Sequence, residues 1–360
     1  MDSEKNRSCA TQLIAHTNNI FTQQIAGKEV DCVYLDYSKA FDKVDHNLLL
    51  IKLFKIGIRG NFIKWIQNFI KGRIQKVVVD NCLSYPTTVI SGVPQGSVLG
   101  PTLFSVSIND LPKYVKDCDI LTYADDTKLI KTIDSTHDAT CLQQSLSKVL
   151  TWSKQNNMEL NKDKFEMMSF RLNSQESNLK ILELLPFPEK FRNYKISNEN
   201  LLTPSEAVRD LGIMIDSELN WNVHRNNICR KSRQMSGWIL NTFYTRKQEP
   251  LITLFKSLIR PILEFGCEIW IPYKIKDICE IEQIQRSYTS KISDIRLLNY
   301  WDRLEKLEIS SLQRRRELII LTTIWKIKNN LYPNTINITF KLHPRSQKEE
   351  AVLPPLPRTN

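Results

Sequence analysis

The chain has 360 residues, 41% of them hydrophobic, with 50 Lys and Arg against 39 Asp and Glu and a formal net charge of +11 at pH 7. That length suits two or three domains with a sizeable core, and the positive balance points to a polyanionic partner, the alternative being a charge that serves solubility alone. No run of about 18 apolar residues predicts a membrane span, the N-terminal MDSEKNRSCATQLIAHTNN lacks an apolar signal core, and the eight cysteines form neither a CxxC pair nor a zinc spacing, so reduced thiols in an unsecreted, cytoplasmic or nuclear protein are expected.

Residues 9–27 read as a helix, with Leu13, Ile14, Ile20 and Phe21 on one side and Gly27 as the stop. Val30–Asp36 is a short apolar run ending on an acid, the pattern of a buried strand. Asp45 suits the N-cap of a helix over His46–Ile56, which Gly57 ends. A second helix follows Asn61; Phe62, Trp65, Ile66, Phe69 and Ile70 recur at helical spacing, which places the aromatics in the core. Arg73–Val79 and Thr87–Ile90 predict strands joined by a Pro-containing turn. Ser91–Ser97 is a loop, and Val98–Leu111 is helical with Pro101 tolerated near its start.

Ile120–Tyr123 and Thr127–Ile130 predict a hairpin whose tip is Ala124-Asp125-Asp126. Residues 138–154 form an amphipathic helix through Leu142, Leu146, Val149 and Leu150, and Phe165–Phe170 is a strand. Residues 171–200 are polar and irregular; Val208–Ile215 is strand-like around Gly212. From 221 the chain is helical and basic, residues 221–260 carrying eight Lys and Arg against the single acid Glu249. Trp221, Trp238 and Tyr244 within it are assigned to helix packing, and Arg314, Arg315 and Arg316 are either a phosphate patch or a solvated face. The composition of the tail from 344 is that of a disordered segment.

Three acids stand out. Asp36 ends a buried strand, and Asp125 and Asp126 stand side by side at a hairpin tip. Adjacent carboxylates repel, and a cation relieves the repulsion. Hard oxygen donors suit Mg²⁺, which also binds phosphates, and two such ions activate an attacking hydroxyl and stabilise a leaving pyrophosphate. The alternative for Asp125-Asp126 is an ordinary turn pair.

VYLDYSKAFDKVDH, SGVPQGSVLGPTLFSVSINDLP and YADDTKLI, in that order, resemble the palm motifs of reverse transcriptases. Their form is similar to non-LTR (LINE-type) retrotransposons near the jockey and CR1 groups, and TWSKQNNMELNKDKFEMMSF, VRDLGIMIDSELNWNVH and RLEKLEISSLQRRRELIILTTIWKIKNN extend the resemblance to about residues 8–335. It implies an α+β fold: an antiparallel palm sheet with packed helices over residues 1–216, with a remnant of a fingers region, then a helical thumb-like region over 217–343 and a tail over 344–360. It implies an RNA-directed DNA polymerase that extends a primer 3′-OH by two-metal nucleotidyl transfer, using Mg²⁺ with Mn²⁺ able to substitute. Its implied partners are an RNA template, a DNA primer, their hybrid and deoxynucleoside triphosphates, with no membrane.

The resemblance assigns roles by position. Asp36, Asp125 and Asp126 are the implied metal-binding catalytic acids, with the backbone carbonyl of Tyr37 as a further ligand; Asp42 and Asp45 are structural. Phe41 falls at the steric gate against a ribose 2′-OH, although periodicity alone would make it core. Gln95 and Gly96 fall in the loop that approaches the nucleotide or template, although by themselves they read as a turn. Lys164 matches a lysine that protonates or stabilises leaving pyrophosphate, the alternative being a solvated side chain. Gly212 matches the primer-grip block, and the basic helices match a thumb that tracks phosphates. With 35 residues before Asp36, the expectation is a chain lacking most of the fingers region and the upstream endonuclease. The alternative function is a catalytically inactive nucleic-acid-binding remnant or a host-adapted protein.

Overall fold

A computed structural model describes residues 8–171, 194–196 and 201–332. Its centre is strand β1 (Glu29–Leu35), whose run of apolar residues is buried on both faces. β1 lies second from one edge of a four-stranded antiparallel sheet. It pairs on one side with β8 (Glu166–Phe170) and on the other with β7 (Asp126–Ile133), which pairs in turn with β6 (Asp119–Tyr123). Side chains alternate across a strand. Val33 and Leu35 therefore enter one core, with α2 (His46–Lys55), α4 (Gly100–Ile108) and α5 (Thr136–Gln155). Val30 and Cys32 enter a second core, which α1 (Cys9–Ile25) and the C-terminal helices complete.

Side-chain caps start α1 and α2 where the sequence predicts those helices. Ser8 closes a capping box with Thr11 over α1. Asp45 accepts from the backbone N–H of Asn47 and Leu48 at 2.8 and 2.9 Å over α2. Helix α3 (Gly60–Ile70) departs from expectation in its packing. Ile66 and Ile70 are buried, but Phe62 and Trp65 are 54% and 51% exposed and Phe69 is half-buried, so the aromatic rings flank the buried stripe instead of filling it. Helical spacing identifies the helix but does not fix how wide a stripe its neighbours cover.

Residues 74–88 also differ from expectation. The chain reverses at Asp80-Asn81, both with positive φ, so that β3 (Val78–Val79) pairs with β4 (Cys82–Leu83). Outside them β2 (Ile74–Gln75) pairs with β5 (Thr87–Thr88), and Pro86 lies beyond the reversal. Two consecutive left-handed residues suit a tight hairpin, and Asp and Asn tolerate that conformation. The strand expected around Gly212 is likewise a hairpin. β9 (Ala207–Asp210) and β10 (Ile213–Asp216) join through Leu211 and Gly212 at φ +44° and +91°.

The C-terminal part is helical: α6 (Asn222–Thr242), α7 (Gln248–Leu254), α8 (Arg260–Glu264), α9 (Ile275–Thr289), α10 (Tyr300–Lys306) and α11 (Leu312–Lys328). A π-helical turn, Phe255–Ile259, links α7 to α8 and precedes Pro261, which has no N–H for an ordinary helical ladder. This half shares its core with Val208, Ile213 and Ile215 of the β9–β10 hairpin and with β1. The tail expected to be disordered, 344–360, lies outside the described residues, as does most of 171–200.

Candidate active site

Asp36 follows the last residue of β1, and Asp126 opens β7. Their strands pair Leu35 with Thr127, so both acids leave the same end of the sheet. They line a cleft of about 500 Å³ together with Asp163, Lys164, Glu166 and Asp210. Asp125 sits in the two-residue turn with Ala124, whose φ is +52°; it is not among the cleft-lining residues. The Asp-Asp pair is therefore split: one acid in the turn, the other the first residue of a strand.

The cleft carries excess negative charge. Asp126 has its carboxyl held above the ordinary carboxylate range, first by partial desolvation and then by Asp125 and Asp210, with Asp36 adding and Lys128 opposing. Oδ2 of Asp36 is shielded from solvent, and Lys164 Nζ lies 3.0 Å from it without hydrogen-bond alignment. Lys164 keeps 67% of its side chain exposed while its ammonium lies beside Asp36. Its ammonium stands where a cation is favoured.

Tyr37 is buried, so its side chain is withheld from the cleft. Ser38 N–H donates to Glu159 C=O at 2.8 Å and Asn161 N–H to Asp36 C=O at 2.9 Å. These bonds flank an antiparallel bridge of Tyr37 with Leu160 and turn the Tyr37 carbonyl away from that segment. Phe41 is half-buried and stacks on Phe104 of α4, with centroids 4.4 Å apart and planes at 21°; it does not line the acidic cleft. Gln95 is exposed and donates from Nε2 to Asp42 Oδ1 at 2.8 Å. Gly96 has φ +80° and open space around its Cβ position.

The Gln95 loop is tied to the Phe41 segment at a point that sequence reasoning passed over. A Cβ on Gly92 would meet the Asp42 backbone at 2.8 Å, and Gly92 φ is +86°. Val93 N–H donates to Phe41 C=O at 2.9 Å, and His46 Nε2 bonds Gly92 C=O at 2.8 Å. Lys128 and Asp210 were also missed. Lys128 is buried on β7 and ion-paired with Asp210 of β9, so the β9–β10 hairpin is anchored beside the acids. His16 Nε2 lies 3.2 Å from Tyr34 Oη and 3.9 Å from Asp210; burial, then Lys128, holds its imidazole far below its usual range and keeps it neutral. A lysine inside the apolar strand Thr127–Ile130 was the available signal; its partner 82 residues away was not.

Four of the eight basic residues in 221–260 are held internally. Arg225 reaches Asp277 at 2.6 Å, Arg233 reaches Glu280 at 3.1 Å, Arg260 lies 3.9 Å from Glu264, and Arg246 donates to the carbonyls of Leu240, Phe243 and Thr245. Arg230, Lys231 and Lys247 are exposed. Trp238 and Tyr244 are exposed too, which corrects the packing assigned to them. The Arg314–Arg316 run is neither expected alternative as a unit, because Arg315 pairs with Glu264 and Arg316 is buried.

The donors available to a metal are hard oxygens: the carboxylates of Asp36, Asp125 and Asp126 and the Tyr37 carbonyl. They fit Mg²⁺ in kind, and the neighbouring carboxylates of Asp36, Asp125 and Asp210 around Asp126 are the charge such an ion would relieve. Among the described residues, no three His, Cys, Asp or Glu side chains already converge on one point.

An antiparallel sheet that delivers carboxylates from neighbouring strands into one cleft, with helices packed against it, has the architecture of a palm domain. The chain belongs to the family described as reverse transcriptase (RNA-dependent DNA polymerase), which matches residues 3–215. It is 25% identical over 268 residues to the probable RNA-directed DNA polymerase from transposon X-element of Drosophila melanogaster, covering 72% of this chain and 28% of that protein. It is 29% identical over 248 residues to the RNA-directed DNA polymerase from mobile element jockey of the same species, covering 66% and 25%. The chain thus spans about a quarter of the length of these relatives. Telomerase from Candida albicans, solved in complex with a TWJ fragment of telomeric RNA, aligns with 85% of this chain and 55% of its own at 11% identity and a TM-score of 0.44.

Proposed function

We propose that this chain carries the catalytic palm of an RNA-directed DNA polymerase of the non-LTR retrotransposon type, with residues 1–216 as palm and 217–343 as a thumb-like region. The observation that carries this reading is the convergence of Asp36 and Asp126, from adjacent strands, on one cleft that also holds Lys164. Asp36, Asp125, Asp126 and the Tyr37 carbonyl would hold two Mg²⁺, or Mn²⁺ in their place. Such ions supply activation of a primer 3′-OH and stabilisation of charge on the triphosphate. Lys164 is then released from Asp36 and offers its proton or its charge to the departing pyrophosphate.

The other residues select and orient. Phe41, backed by Phe104, presents an apolar ring to the sugar and leaves a ribose 2′-OH without a hydrogen-bond partner, which favours deoxynucleotides. Gln95 and Gly96 supply a neutral two-way hydrogen bonder and open backbone for approach to a base or sugar. Exposed Arg230, Lys231 and Lys247 are available to duplex phosphates. An RNA template, a DNA primer and their hybrid are the partners. No helix among the described residues is long and apolar enough to cross a membrane.

Extension of oligo(dT) on poly(rA) with dTTP and Mg²⁺ tests the reading. Wild type should extend, and Asp36→Asn and Asp125→Asn should each lose at least about a hundredfold in rate while binding the hybrid within a few-fold of wild type. A wild-type chain that does not extend, or an Asp125→Asn chain that extends normally, would falsify it.

A further inference from the structure

Helix α3 presents a face that the polymerase reading leaves unused. The rings of Phe62 and Trp65 lie 5.8 Å apart with planes at 14°, and those of Trp65 and Phe69 lie 6.0 Å apart with planes at 16°. Phe62 and Trp65 are 54% and 51% exposed. The result is a row of three nearly parallel rings along one flank of the helix, beside the stripe that Ile66 and Ile70 bury.

The stretch of chain that carries this row is basic and free of acids. From His46 to Val79 there are seven Lys and Arg and no Asp or Glu. Lys52 is committed to Asp110, and Arg73 to the carbonyls of Ile70 and Gly92. Among the described residues Lys55, Arg59, Lys64 and Lys76 form no ion pair with a carboxylate. Arg59 lies over Phe54, its guanidinium carbon 4.0 Å from the ring centroid, immediately before α3. Asn61, Gln67 and Asn68 are exposed on the same helix and offer amides that donate and accept.

Exposed parallel rings on a basic, acid-free stretch of chain match an unpaired polynucleotide, whose bases stack on aromatic faces and whose phosphates meet cations. A paired duplex hides its base faces and would use only the charges. We propose that the exposed face of α3 is a stacking platform for an unpaired stretch of the RNA template. The identity of that strand rests on the polymerase reading; the stacking chemistry does not.

The test is equilibrium binding of the full chain, without nucleotides, to a labelled single-stranded RNA and to the same RNA annealed to complementary DNA. Phe62→Ser with Trp65→Ser should weaken single-strand binding about tenfold or more and change hybrid binding less than twofold. Lys64→Gln, which leaves the rings in place, should reduce the salt slope of single-strand binding by about 0.7. Unchanged single-strand binding in the ring variant overturns the inference, as does an equal loss on the hybrid. So does a self-association of wild type that the ring variant abolishes, since the rings would then face a second copy. Failure of the polymerase reading shows separately, as absent extension with single-strand binding intact.

Discussion

At the residue scale, the catalytic candidates were legible because their signal is local. Asp36 closes an apolar run and Asp125-Asp126 interrupts two others, so strand and turn chemistry alone brings them to element ends. Asp210 had no such signal. It reads as one acid in a strand-like stretch, and only the fold sets it against Lys128, which is buried on β7 two residues after Asp126. Breaking one partner of a buried ion pair costs about 3–5 kcal/mol, because the other charge is left uncompensated, whereas replacing both with apolar residues is often neutral. Lys128→Met should therefore lower unfolding free energy in urea by about that amount, and Lys128→Met with Asp210→Leu should recover most of it. If the double variant is as unstable as the single one, the pair is more than a mutual neutralisation. Gly92 is legible only in retrospect: a glycine in a loop is unremarkable until the Asp42 backbone is found 2.8 Å from where its side chain would be.

At the element scale, periodicity located helices and strands but not their surroundings. The spacing locates α3 within a residue or two, yet the core it implies for the aromatics does not cover them. The 74–88 and 207–216 segments each read as simpler than they are, because a two-residue reversal at left-handed φ leaves little mark in an apolar pattern. The second of these hairpins carries a pH-sensitive joint. Met214 N–H on β10 donates to Nδ1 of His224 at 3.2 Å, and His224 is buried near the start of α6. Burial, with a smaller push from Lys231, lowers the His224 imidazole to about 4 from its ordinary 6.5. The unfolded chain therefore binds a proton that the folded chain refuses. The stabilisation is complete above pH 6.5 and is lost as pH falls toward 4, a change of about 3 kcal/mol. Urea midpoints between pH 7 and 4 should fall accordingly, and His224→Gln should flatten that part of the profile. A parallel decline in the variant would assign the sensitivity to other groups.

At the scale of the whole molecule, the expectation of an antiparallel palm followed by helices agrees with the family and with the observed sheet. The way the two parts share a core could not be read from sequence, because burial of Val30, Cys32, Val208 and Ile215 against helices beyond residue 221 is a relation between distant segments. The palm and thumb-like regions we propose are divisions of role, and the hydrophobic cores are drawn differently. A fragment ending at Asp216 would expose the second face of β1 and of the β9–β10 hairpin. It should bind apolar dyes and unfold without a cooperative transition, while the full chain unfolds cooperatively. Cooperative unfolding of the fragment would show that the first core suffices.

β1 has a further consequence, for the tolerance of the sequence to change. A surface strand accepts drift on its solvent side, but β1 has none: Val30 and Cys32 are fitted to one core, Val33 and Leu35 to the other. A change of volume at any of these positions is felt by one close-packed interior or the other. Asp36 therefore hangs from the segment least free to vary, and inherited substitutions should accumulate in the exposed strands between residues 74 and 88 long before they reach the carboxylate's support.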